Sequence, residues 1–220
     1  IRGATYRNII INKASGVTTF SGATAATGRL TLTSGTLNLD GATTVGSLEG
    51  SSTITSDGAA NRLLTIGTDN TSTSFSGIIQ NGSRVISLTK SGSGTLTLST
   101  ACTYTGATTI STGTIKLDAA NILPDITALT LTGTLDLNGF SETIGSLAGA
   151  GTVTSTSAGA ILLTTGGNNA ATTTFTGLLQ DGSGTLSLTK AGTGIMILTG
   201  LNSYTGATIV SGGTLTLGSA

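Results

Sequence analysis

The sequence has no histidine and no tryptophan, and one each of cysteine, proline and methionine among 220 residues. Without His there is no Ser–His or Cys–His nucleophile system and no imidazole to hold a metal ion. The lone Cys102 closes no internal disulfide, so no disulfide framework supports the fold. One Pro beside 34 Gly excludes a collagen-like chain, which needs a three-residue Gly period rich in Pro. Charged residues are 8% of the chain, against roughly 25% in an ordinary soluble domain. Nine acids cancel nine bases, which leaves no electrostatic footprint for nucleic acid or an anionic membrane. No apolar run reaches the roughly 18 residues of a membrane helix, so no membrane insertion by this segment is expected. With no His and few acids, stability is expected to change little between about pH 5 and 8.

What the chain has in abundance is Thr, Ser, Gly and branched aliphatics. Thr, Val and Ile favour extended backbone, while Gly and Ser mark turns. Hydrophobic residues make up 37% of the chain, enough to form a core, and the composition is that of an all-β fold. The first residue is Ile1 and no signal peptide is visible, which suggests a chain processed or excised from something longer.

A long repeat runs through the sequence. Ser91 to Asp118 aligns without gaps on Ala191 to Gly218, an offset of 100 positions. At that offset Phe75 meets Phe175, Gln80 meets Gln180, Lys90 meets Lys190 and Tyr104 meets Tyr204. Upstream, after a one-residue slip, Val45-Gly46-Ser47-Leu48 meets Ile144-Gly145-Ser146-Leu147. The chain is thus one continuous segment, 1–220, with units at roughly 19–118 and 119–218 and with 1–18 as the end of a preceding unit. A shorter period sits inside: Gly94, Gly113 and Gly133, spaced 19 and 20 apart, each open a Gly-Thr-(Leu/Ile)-x-Leu strand. Lys13 to Lys90 spans 77 positions and Lys90 to Lys190 spans 100, with the surplus near Ala119 to Thr132. That surplus is close to one short period, and a whole added turn leaves the neighbours of a stacked coil in register.

Within the strands alternation is strict: Thr114-Ile115-Lys116-Leu117, Thr134-Leu135-Asp136-Leu137, Thr214-Leu215-Thr216-Leu217. Period 2 puts Leu117, Leu137 and Leu217 inside and Lys116, Asp136 and Thr216 outside. A period near 20 with the same residue type at the same phase predicts a right-handed parallel β-helix, a β-solenoid. It has about 20 residues per turn, roughly 11 turns and a length on the order of 50 Å. No turn buries its own apolar face; stacking does.

The blocks at 94–118 and 194–218 resemble the autotransporter-associated β-strand repeat, also named the passenger-associated transport repeat. Its signature is Gly-Thr-Leu-x-Leu, then Asn-x-Tyr-Thr-Gly-x-Thr, then Gly-Gly-Thr-Leu. Asn202-Ser203-Tyr204-Thr205-Gly206-Ala207-Thr208 fits it, and the first block departs at Cys102, where the family has Asn. The resemblance implies a right-handed β-helix in a very large bacterial surface protein. It also implies secretion to the cell surface or beyond, a stalk or adhesin role, and no chemistry of its own.

The search for chemistry leads to the same place. β-Helical glycosidases need two carboxylates about 5–9.5 Å apart. Asp118 and Asp136 are the nearest candidates, but alignment sets Asp118 against Asn138 and Asp136 against Lys116, which predicts a surface ion pair across rungs. Asp69-Asn70 and Asn168-Asn169 fit turns, and the carboxylate density of a calcium loop is missing. Cys102 has no Lys, Arg or His close by in sequence to activate it and fits a structural turn position. Rows of Thr raise the ordering of water, as in ice binding, but Lys116, Asp136, Ile195 and Ile197 interrupt them. Ile195 and Ile197 take outward positions and fit isolated exposed apolar residues, with a small apolar patch against a neighbouring chain as the alternative. Tyr104, Tyr204, Phe75 and Phe175 fit corners of the coil, with sugar stacking as the alternative. Asn70-Thr71-Ser72 and Asn81-Gly82-Ser83 match the glycosylation sequon. No catalytic, cofactor-binding or metal-binding residue is assigned, and no cofactor is expected. The function expected is non-enzymatic: a structural rod or stalk segment of a secreted bacterial surface protein or an extracellular filament. An adhesin module contacting glycans or other cells is the alternative. Partners are expected end to end, as neighbouring rungs or copies of the chain, with hydrogen bonding continuing past Ala220.

Overall fold

A computed structural model describes residues 5–218. Among the described residues there are 23 strands and no helix, and every strand pairing is parallel. Ala220, where continued pairing was expected, lies outside the described residues. The chain winds as a coil with three faces. On the first face one column of paired residues climbs through Tyr6, Ala26, Val45, Ile66, Lys90, Ile110, Leu131, Gly149, Phe175, Leu198 and Leu217. That is eleven rungs, each about 20 residues from the next. At about 4.8 Å per rung the rod is on the order of 50 Å long.

The second face runs from Ile11 through Leu32, Gly50, Phe75 and Leu98 to Leu117, then through Leu135 and Val153 to Leu179. The third is continuous at its two ends. It carries Phe20 and Leu39 near the start, and Ile144, Thr165, Lys190 and Val210 near the end. In its middle it is reduced to single bridges, Ile54 to Ile79 and Gln80 to Thr103.

Alternation places one residue in two inside, and the stack turns those positions into one column. Leu32, Leu48, Leu64, Leu88, Leu117, Leu137 and Leu147 are all fully buried, as are Phe75, Tyr104 and Phe175. Each Leu buried from both sides contributes roughly 1.5–3 kcal/mol. The surplus segment near 119–132 is the extra rung anticipated from the spacing. Its strand Ala128–Leu131 pairs below with Thr108–Ile110 and above with Ser146–Gly149.

Two expectations need correction. Leu217 is 73% exposed, because it lies on the last described rung with nothing stacked over it. Asp136 does pair in register with Lys116, its Oδ2 lying 3.7 Å from Lys116 Nζ. Yet it is buried, because Thr156 of the next rung caps it with its N–H at 2.9 Å and its hydroxyl at 2.7 Å.

The 100-residue repeat is not a whole number of turns. From Lys90 on the first face, four turns lead to Phe175, and two further faces lead to Lys190 on the third. Likewise Thr95–Leu98 lies on the second face, but its equivalent Ile195–Leu198 lies on the first. The second copy is therefore turned by one face, about a third of a turn, relative to the first.

Substituting Leu137→Asp puts a carboxylate where a fully buried Leu contacts two rungs. Lost burial and an unpaired charge together are expected to cost at least about 4 kcal/mol, read as a drop in the urea midpoint. A change below about 1 kcal/mol would contradict the register.

Candidate functional site

The repeated signature is the natural candidate, and its residues are absorbed by the stack. The Tyr104 hydroxyl bonds Thr108 Oγ1 at 2.6 Å, and Tyr204 bonds Thr208 Oγ1 at 2.6 Å. Thr108 continues to Thr127 Oγ1 at 2.9 Å, which donates to Gly106 O at 2.9 Å. At Gly106 a Cβ would run into the carbonyl of Ile86, and at Gly206 into that of Leu186, so only Gly lets the rungs close. Tyr104, Phe75 and Phe175 are core residues rather than sugar-stacking platforms, while Tyr204 on the last described rung is half-buried.

Asn81 and Asp181 make the same stitch in the two copies. Asn81 Oδ1 accepts from Ile86 N at 2.9 Å and Thr105 N at 3.2 Å, and its amide donates to Thr105 Oγ1 at 2.7 Å. Asp181 accepts from Leu186 N at 2.8 Å, from Thr205 N at 3.1 Å and from Thr205 Oγ1 at 2.7 Å. The Thr205 hydroxyl first, then the backbone donors, hold the Asp181 carboxyl below its usual range. Of the two sequons, the Asn81 amide is thus occupied, while Asn70, in the left-handed region at φ 64°, accepts through Oδ1 from Ser93 N at 2.8 Å.

Cys102 does what Asn does in the other copy. Asn202 Oδ1 accepts from Leu179 N at 2.9 Å, and its amide donates to Gly200 O at 3.0 Å. The Cys102 sulfur accepts from Ile79 N and donates to Thr100 O at 3.7 Å. Burial pushes this thiol up to about 11, so it is neither ionised nor activated near neutrality.

Lys90 and Lys190 were aligned as a pair, but their burial was not anticipated. Both are buried, with the ammonium groups held by turn carbonyls: Lys90 by Ser91 O at 2.6 Å and Gly92 O at 2.9 Å. Lys190 donates to Ala191 O at 2.5 Å, Gly192 O at 3.1 Å and Gly212 O on the next rung at 3.3 Å. Burial lowers the pKa of both, with Asp69 partly offsetting it at Lys90. A Cβ on Gly113 would come within 2.8 Å of Lys90 Nζ, so Gly there leaves room for the cation. The alternation Ile86-Ser87-Leu88-Thr89-Lys90 already sends Lys90 inward with Leu88, and that signal could have found it.

The acids do not converge. Asp118 accepts from Ser99 Oγ at 3.3 Å, and Asp136 is capped as described. At Asp69 burial raises the carboxyl, but bonds from Thr71 and Ser47 and the charge of Arg29 outweigh it and hold it below its usual range. No cluster of three or more metal-ligating side chains occurs among the described residues. One acid was overlooked. Glu142 is buried beside Ile144 on the inward phase; Oε2 accepts from Ile122 N at 2.9 Å, while Oε1 has no partner. Burial, aided by Asp125 and opposed by three backbone N–H groups, raises its carboxyl to about 8.

The outer faces are plain. An unbroken column of Thr44, Thr65, Thr89, Thr109 and Thr130 stands on the first face. Lys116 and Asp136 interrupt the Thr row of the second face, between Thr97 and Thr154, and Ile195 and Ile197 interrupt those of the first. Ile195 is 39% exposed, as an outward position requires.

Glu142 overturns the expectation of flat stability. Its folded value lies near 8 and its reference value is 4.5, so over that window the folded chain keeps a proton that the unfolded chain has lost. Stability therefore falls as pH rises from about 4.5 to about 8, by on the order of 5 kcal/mol, and then levels. Thermal melts across that range are expected to show the fall, and Glu142→Gln to remove it. Cys102→Asn restores the hydrogen bonds that Asn202 makes and is expected to change stability by less than about 1 kcal/mol. A loss of several kcal/mol in chemical denaturation would show that the two copies are not equivalent here.

Comparison with known proteins gives one family. The model of the passenger-associated-transport-repeat matches residues 88–117 and again residues 188–217. No curated protein and no solved structure matches the chain. The two matched stretches hold the two copies of the signature, in which Tyr204 bonds Thr208 as Tyr104 bonds Thr108. The chain is a β-solenoid carrying two passenger-associated transport repeats, set one face apart around the coil.

Proposed function

We propose that this chain is a structural rod segment of a secreted bacterial surface protein, without enzymatic activity. One observation carries the reading: the two copies agree where the fold uses them and differ where solvent meets them. Leu88, Lys90, Gly94, Leu98, Tyr104, Gly106, Thr108 and Leu117 recur unchanged at 188, 190, 194, 198, 204, 206, 208 and 217. Inward changes stay apolar at Leu96 to Met196, Ile110 to Val210 and Ile115 to Leu215, with Cys102 to Asn202 as the exception. Outward changes alter polarity, bulk or charge: Thr95, Thr97 and Thr109 become Ile195, Ile197 and Ile209, Ala101 becomes Leu201 and Lys116 becomes Thr216. A ligand read by the repeat would need a shared outer surface, and the copies present different ones on different faces. This weighs against an adhesin that binds glycans through the repeat.

A rod also suits the edges. The last described rung shows Leu201 at 79% and Leu217 at 73% exposure, with Ile209 and Val210 about half exposed.

Electron microscopy and a glycan array on the purified chain test the reading together. Rods in multiples of roughly 50 Å with no saturable glycan binding are expected. Saturable binding of one glycan class, abolished by a substitution in the outer positions of either copy, would replace the rod with an adhesin.

A further inference from the structure

The turn at 119–126 is held from both sides. On the rung before it, Cys102 N donates to Ile122 O at 2.9 Å. On the rung after it, Glu142 Oε2 accepts from Ile122 N at 2.9 Å, and the N–H groups of Leu123 and Thr143 also bond this carboxyl. Glu142 is 1% exposed, and Oε1 makes no hydrogen bond. Beneath the turn lie Cys102, 4% exposed, and Tyr104, fully buried. A groove runs between those residues and Leu123, Pro124, Asp125 and Ile126 of the turn. Asn121, in the left-handed region at φ 52°, donates its N–H to Ser141 O at 3.2 Å, and Ile122 and Leu123 pack into the core, while Asp125 and Ile126 are exposed.

The groups facing the carboxyl are few. Asp125 lies on the turn, and Cys102 and Tyr104 lie on the rung before. The rung after brings Leu163 into register with Glu142, and Leu163 does not titrate. No cation stands among them. A buried, half-satisfied carboxylate is costly, whereas a neutral carboxyl is not.

We propose that Glu142 is a proton-controlled latch: protonated, it holds the 119–126 turn over Cys102, and on ionisation the turn loosens and the one thiol of the chain becomes reachable. Opening gives the carboxylate water, so the open state is favoured as protons are withdrawn. The device is independent of the rod function, since it rests on one turn and not on the repeat.

The test is the labelling rate of Cys102 by a disulfide reagent on the full chain between pH 5 and 8.5. Each rate is divided by that of the urea-unfolded chain at the same pH, which removes the change in thiolate fraction. The normalised rate is expected to rise about tenfold per pH unit between roughly 5.5 and 7.5 and to level above about 8. With Glu142→Gln it is expected to stay flat; with Asp125→Asn it levels at lower pH, because a repelling charge has gone. A flat rate in the parent chain, or the same rise in Glu142→Gln, overturns the latch. Hydrogen exchange provides a check that needs no variant. The Ile122 amide should lose protection with rising pH before the amide of Leu163 does; loss of both in step would mean global unfolding and would equally overturn it.

Discussion

A single rung of this chain has no inside. Its leucines and isoleucines are covered only when the next rung settles on them in register, with Leu64 over Val45's neighbours, Leu88 over Leu64 and Thr108 over Leu88. Parallel hydrogen bonding fixes that register, and a slip of one residue would turn every inward side chain outward. The burial of Leu117, Leu137 and Phe175, the closeness of Gly106 to Ile86 and the long column of the first face all follow from it. The exposure of Leu217 follows too, since no described rung lies above it.

Register of rungs is a different matter from register of the repeat. The repeat occupies 100 residues, but the coil needs four turns and two faces to pass through them, so equivalent strands land on different faces. This is tolerable because the three faces meet a common core and differ little inside. Outside, it separates copies that a one-dimensional alignment places together. Side chains that contact rungs above and below are constrained by both neighbours, whereas outward residues are free to drift from Thr to Ile.

Several polar groups drawn into the stack are tied to backbone on an adjoining turn or rung. Lys90 and Lys190 cap turn carbonyls, Asp136 is capped by Thr156, and Asn81 and Asp181 hold the Tyr-Thr-Gly corner of the rung above. Cys102 replaces Asn202 because a sulfur can accept one bond and donate another at the same corner. Glu142 is held through Oε2 but makes no hydrogen bond at Oε1, and burial resists its charge as it resists those of Lys90 and Lys190.

Much of this was legible in the residues alone. Alternation at period 2 named the inward Leu and Ile. The Gly94, Gly113 and Gly133 spacing set the turn, and the alignment of Lys116 with Asp136 foretold their pairing across rungs. These are local or nearest-rung properties, and a periodic sequence writes them out directly. The same alternation also carried Lys90 and Glu142 inward, but chemical type argued against burying them, and only the neighbouring carbonyls and N–H groups show how burial is met. The burial of Asp136 depended on Thr156, 20 residues away on the rung above. The face on which each copy stands depended on the sum of every corner between them, including the long ones that follow Gly50 and Gly149, where the next partner in the column is Phe75 or Phe175. Sequence sets what each rung prefers inside and outside; the three-dimensional path decides which rungs meet, because small differences in corner length accumulate along the coil until a whole face has been gained.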